Sequence, residues 1–160
     1  MDKAIQSDVL ELLKFNSQLF DERIASLTRE QSLFRTAEKT NAILWIAGHL
    51  TNSRIHLLEL LGEKREYAWS AAFKEAYNPD NQYPDLMTLS KVWQEVSTRI
   101  FDQLTLQDRA SLEAEIGYEL PHGINTIRGA FVFWLYHEAW HLGQIAILRK
   151  AQGMEGLVPY

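Results

Sequence analysis

The sequence predicts an all-α protein, a four-helix bundle with a long connection between the second and third long helices. Three observations lead there. Four long stretches repeat apolar residues at the helical period. Strand signals are few. Of the 160 residues 46% are hydrophobic, enough to bury one core. This length fits a single domain over residues 1–160.

The first helix is expected from about Lys3 to about Arg23, with Ile5, Val9, Leu12, Leu13, Leu19 and Phe20 near a helical period. The stretch Leu27 to Gln31 follows, where Thr28 can cap a short helical turn. The second long helix opens near Thr40 or Asn41 as N-cap and carries Ile43, Leu44, Leu50, Ile55 and Leu58 to a stop at Gly62. From Glu63 to Met87 the period weakens. Asn78-Pro79 and Tyr83-Pro84 signal turns there, and the aromatics Tyr67, Trp69, Phe73 and Tyr77 make the segment a packed loop. The third helix is expected from Thr88 or Ser90 to about Leu106. Leu112 to His122 reads as irregular, broken by Gly117 and Pro121, with an alternation near Glu113–Tyr118 compatible with a short strand. The last helix runs from Asn125 or Thr126 to about Gln152 and ends at Gly153. Four amphipathic helices imply an all-α bundle.

Composition narrows the function. The net charge of -5 and the lack of a basic run argue against nucleic acid as the main partner. No cysteine is present, which removes disulfides, cysteine zinc sites and a thiol nucleophile together. A metal must be held by His, Asp or Glu. The first residues carry no apolar block of a signal peptide, and the apolar runs are interrupted by His, Asn, Glu or Arg, so a cytoplasmic protein without a membrane span is expected.

The chemistry gathers in the histidines. His137 and His141 stand four apart on the last helix. At about 100° per residue they return to within about 40° of one face, one turn apart. Two imidazoles so placed can bind one ion. His49 lies in the middle of the second long helix, with Trp45, Asn52 and His56 on its face. One His from one helix and an i,i+4 pair from another make a bundle-core metal site with an open position. Asn52, His56 and Gln144 are candidates for the groups around it. His122 follows Pro121 in a loop and reads as surface.

His137-Glu138-Ala139-Trp140-His141 is also H-E-x-x-H, the helix of zinc metalloproteases in which the Glu is general base. The context argues against a protease. Position 147 is Ile where an extended motif needs a third His, Glu155 lies beyond the helix stop, and no strand-rich lobe precedes the helix. Glu138 is rotated about 100° from His137 and reads as a solvated helix residue.

The segments Asn41-Ala-Ile-Leu-Trp-Ile-Ala-Gly-His49-Leu50 and His137-Glu-Ala-Trp-His141-Leu-Gly143-Gln144-Ile145, with the tail to Leu148-Arg149, resemble the DinB/YfiT-like superfamily over nearly the whole chain. The resemblance implies a four-helix bundle of the DinB/YfiT-like type. His49, His137 and His141 would hold a divalent transition metal, zinc or nickel, and the protein would form a homodimer. It further implies a metal-dependent enzyme on a small-molecule substrate, with a low-molecular-weight thiol as cosubstrate, acting as a thiol transferase or hydrolase. The other implied reading is a metal-binding but non-catalytic interaction or stress-response domain.

Overall fold

The structure, a computed structural model, describes residues 3–156; residues 1–2 and 157–160 of the single-domain expectation, and the side chain of Ile5, lie outside the described residues. In chain order the elements are α1 (Lys3–Ile24), α2 (Arg29–Leu33), α3 (Ile43–Leu60), α4 (Leu86–Leu106), α5 (Arg109–Leu112), β1 (Glu115–Leu120), β2 (Ile124–Thr126) and α6 (Ile127–Ala151).

Local chemistry sets most boundaries. Thr28 and Gln31 form a capping box at α2: each side chain accepts from the other's backbone N–H, at 3.2 and 2.9 Å. Thr126 caps α6 by accepting from Gly129 N. Gly62 (φ 92°) and Gly153 (φ 76°) follow α3 and α6 in the left-handed region, where a residue without Cβ ends a helix at least cost. Two starts differ from expectation. Asp85 caps α4 through Thr88 N at 2.7 Å, so that helix begins at Leu86. α3 begins at Ile43 with Ala42 at its N-cap and no side-chain cap, while Asn41 Oδ1 accepts from Tyr77 N at 3.1 Å instead. The alternation near Glu113–Tyr118 becomes β1, paired antiparallel with β2.

The long helices pack as a ring: α1 touches α4 and α6, and α3 touches the same two. Cross-contacts give the directions. Asn16 meets Glu138 and Arg149 meets the Arg23 carbonyl, so α1 and α6 run parallel. His49 meets His137 while His56 meets Trp134, so α3 and α6 run antiparallel. Arg54 meets Ser97, and Glu63, just past α3, meets Arg99, so the consecutive helices α3 and α4 are parallel. Parallel neighbours cannot be joined by a short turn. The chain must travel back along α3, whose 18 residues span about 27 Å. That return is residues 61–85, the long connection expected from the sequence.

Two apolar clusters fill the interior, one around Phe20, Leu44, Phe73 and Trp93, the other around Leu13, Leu57, Val96 and Phe131. A charged group lies in this interior. Arg54 and Glu138 are fully buried and form a two-bond ion pair, Nε to Oε1 and Nη2 to Oε2. Arg54 also donates to Ser17 and Ser97 Oγ and to the Leu13 carbonyl, and its guanidinium lies 4.2 Å from the centre of the Trp93 ring. Asn16 donates to Glu138 Oε2 at 3.0 Å. Glu138 is therefore a core residue, not the solvated one expected from sequence, because its partner sits on another helix.

Breaking the pair on one side strands a buried charge. Arg54→Met or Glu138→Leu alone should cost about 3–5 kcal/mol in urea unfolding. The double variant should cost clearly less than the sum of the two, and simple additivity would contradict the description.

Candidate metal centre

α3 brings His49 against the face of α6 that carries His137 and His141. One ring nitrogen from each of the three lies within 4.8 Å of the others, and His49 Nε2 and His137 Nε2 are 3.0 Å apart. Hydrogen bonds fix two of the rings. His49 Nδ1 faces the Phe73 carbonyl at 3.2 Å. A carbonyl only accepts, so Nδ1 holds the proton and Nε2 presents its lone pair. His141 Nδ1 likewise donates to Gln144 Oε1 at 2.8 Å. His137 Nδ1 is buried and has no hydrogen-bond partner among the described residues. Aromatic rings wall the group: Trp45 stacks on His49 at 4.7 Å and Trp134 meets His137 edge-on at 4.9 Å.

Burial keeps the imidazoles neutral. It pushes His137 down to about 3, helped by His141 and His49. It pushes His141 down to about 4, helped by His49 and opposed by the Gln144 bond. His49 is lowered by burial against the Phe73 bond. At neutral pH all three carry free lone pairs.

This donor set fits a divalent transition ion. Neutral imidazole suits zinc, nickel and copper. Two nitrogens each about 2.0–2.1 Å from one ion lie about 2.9–3.4 Å apart, depending on the bond angle. The 3.0 Å between His49 and His137 falls in that range. Without a shared ion or proton, two such lone pairs would repel.

The return segment 61–85 builds the wall beside the site. Phe73 is fully buried and rests on Gly48, where a Cβ would stand 2.1 Å from its ring. Glycine inside a helix costs about 1 kcal/mol relative to alanine. Here it lets the segment approach closely enough for the Phe73 carbonyl to reach His49. Asn52 donates to the Ser70 carbonyl at 2.7 Å and holds the same segment one turn further along α3. A cleft of about 620 Å³ opens there, lined by His49, Asn52, His56, Tyr67, Phe73 and Trp134 among others.

The structure brings His49, His137, His141 and Gln144 into direct contact. Asn52 stands in the cleft wall tied to the segment 61–85. His56 lies two turns from His49, joined to the Tyr118 phenol by Nε2 and 3.7 Å from Glu59, without contact to the three imidazoles. His122 is exposed at the hairpin turn (φ 66°). Glu138 points away into the core, which removes the general base of the H-E-x-x-H reading. The Phe73 carbonyl and Tyr118 were not legible from sequence; the only signal was a glycine at position 48 within a helix.

Fold and site define a helical bundle with a candidate three-histidine metal centre between two antiparallel helices. The chain matches the DinB superfamily over residues 12–145 and belongs to it. It is similar to YfiT from Bacillus subtilis, described as a probable metal-dependent hydrolase with an unusual four-helix bundle topology: TM-score 0.73, 18% identity, 97% of this chain and 91% of that one covered. It is also similar to a conserved protein from Enterococcus faecalis, with TM-score 0.70, 14% identity, and 91% and 95% covered. At these identities the likeness is one of fold. No curated protein matches the sequence.

The lowered histidines make the metal-free protein acid-sensitive. Its folded form takes up fewer protons than the unfolded chain between about pH 4 and 6.5, so stability is full above 6.5 and falls as pH drops through that window. Metal-free protein should unfold at lower urea at pH 5.0 than at 7.5, and His137→Gln should shrink the difference. An equal or higher midpoint at pH 5.0 would contradict this.

Proposed function

We propose that the protein is a divalent-metal-dependent enzyme that activates water or a thiol toward a small electrophilic substrate, with His49, His137 and His141 as ligands of zinc or nickel. One observation carries the reading: three neutral imidazoles converge, and one of them, His49, lines a cleft large enough for a small molecule. A divalent ion held there would lower the pKa of a bound water or thiol.

The chain's own residues do the rest. The Phe73 carbonyl and Gln144 hold the Nδ1 protons of His49 and His141 and so keep each Nε2 as the donor. Trp45 and Trp134 limit water at the imidazoles. Asn52, fixed by Ser70, keeps the cleft wall in place. Among the described residues no carboxylate stands with the three imidazoles, so a bound cation would keep its full charge and its strength as an electrophile.

Purified protein should hold about one zinc or nickel ion per chain, and His141→Ala should lose most of it. A panel of activated aryl esters with water, and of epoxides with low-molecular-weight thiols, should reveal turnover that stops with chelator and returns with metal. Tight metal binding without turnover across the panel favours the non-catalytic reading. Equal metal content in wild type and His141→Ala would overturn the ligand set.

We also propose a homodimer through α6. Val132, Tyr136, Trp140 and Ile147 are 52–65% exposed along one stripe. Between Arg128 and Lys150 the charged side chains of α6, Glu138 and Arg149, are both buried. A stripe without charge needs an apolar cover, and the same stripe on a second copy supplies one by two-fold symmetry. Light scattering should give twice the 18.5 kDa chain mass, halved in Trp140→Glu. A monomeric wild type would contradict it.

A further inference from the structure

The cleft that His49 lines has a second, chemically different end. His56 is seven residues beyond His49 on α3, which returns it to the same face about 10 Å further along. Trp134 spans the interval: its ring lies edge-on to His137 at 4.9 Å and edge-on to His56 at 6.0 Å. Tyr67 faces the same space from the return segment.

The far end gathers acceptors. The Tyr118 phenol of β1 hydrogen-bonds His56 Nε2, and whichever of the two donates, the phenol oxygen keeps a lone pair. His56 Nδ1 faces the Glu59 carboxylate at 3.7 Å. The other charges on the cleft wall are differently placed. Arg65 is paired with Glu63 and Glu95, and Glu66 with Lys64 at 2.6 Å. Lys74, next in sequence to Phe73, also lines the cleft. Glu59 alone among the cleft's described carboxylates has no Lys or Arg within ion-pair distance.

The geometry points to an elongated substrate: a carbonyl-type electrophile at the three imidazoles, an aromatic or apolar body along Trp134, and a cationic amine at the far end received by Glu59 and Tyr118. Trp134 and Glu59 set specificity at positions remote from the reacting atoms. The inference rests on the proposed metal centre, and hydroxamates, which chelate such centres, test the two separately.

Acetohydroxamate, 4-methylbenzohydroxamate and 4-(aminomethyl)benzohydroxamate are titrated calorimetrically into the zinc-loaded full chain. The methylaryl probe should bind about tenfold or more tighter than acetohydroxamate by burying its ring. The aminomethyl probe should gain about another tenfold from a charge-assisted hydrogen bond. Glu59→Gln should bring the two aryl probes to within about twofold of each other, Tyr118→Phe should narrow the gap in part, and acetohydroxamate should bind both variants as it binds wild type. Equal binding of the two aryl probes to wild type, or an amine advantage that survives Glu59→Gln, overturns the inference and leaves the metal centre standing. Failure of all three hydroxamates on zinc-loaded protein overturns both.

Discussion

The buried pair Arg54–Glu138 is the constraint on which the rest of the bundle depends. Two charges taken out of water are tolerated only when their hydrogen-bonding capacity is met. Meeting it draws on all four long helices: Asn16, Ser17 and the Leu13 carbonyl on α1, Arg54 on α3, Ser97 on α4 and Glu138 on α6. Apolar packing can slide by part of a turn at modest cost. A set of directed bonds cannot. The pair therefore fixes the register of α6 against α3. Because Glu138 follows His137 directly and Arg54 lies five residues past His49, the same register decides whether the imidazoles converge.

Topology supplies the second half of the site. Since α3 and α4 run parallel, the chain must return along the bundle, and it does so over α3 at Gly48 and Asn52. A segment required by connectivity thus delivers the Phe73 carbonyl to His49 and closes one side of the cleft. An up-and-down bundle with short turns would leave that face of α3 bare. The wall, the tautomer of His49 and the depth of the cleft follow from the helix order rather than from residues selected one by one for chemistry.

Much of this was legible in the sequence, and the remainder failed for identifiable reasons. Helical periods, the Thr28 cap and the glycine stops are local signals, and they placed α1, α2, α3 and α6 closely. The histidines were legible because a pair four apart on a helix has one geometric reading. Glu138 was not. Its partner is 84 residues away, and a charged residue on a helix looks solvated until the facing helix is known. The Phe73 contact is made by a backbone carbonyl, which leaves no mark on residue identity. The third helix was expected to begin at Thr88 or Ser90, but Asp85, one turn before Thr88, caps it. Tyr118 sits in a strand too short for its alternation to separate it from loop.

The central claim is that three imidazoles, each presenting Nε2, hold one divalent ion while Glu138 stays in the core. X-ray absorption at the metal edge of zinc-loaded protein tests it most directly. The account predicts three imidazole nitrogens at about 2.0–2.1 Å with any further ligand a light atom from solvent, and an unchanged spectrum in Glu138→Gln protein that remains folded. A spectrum with fewer than three imidazoles, or one in which the Glu138 substitution removes a ligand, would contradict it.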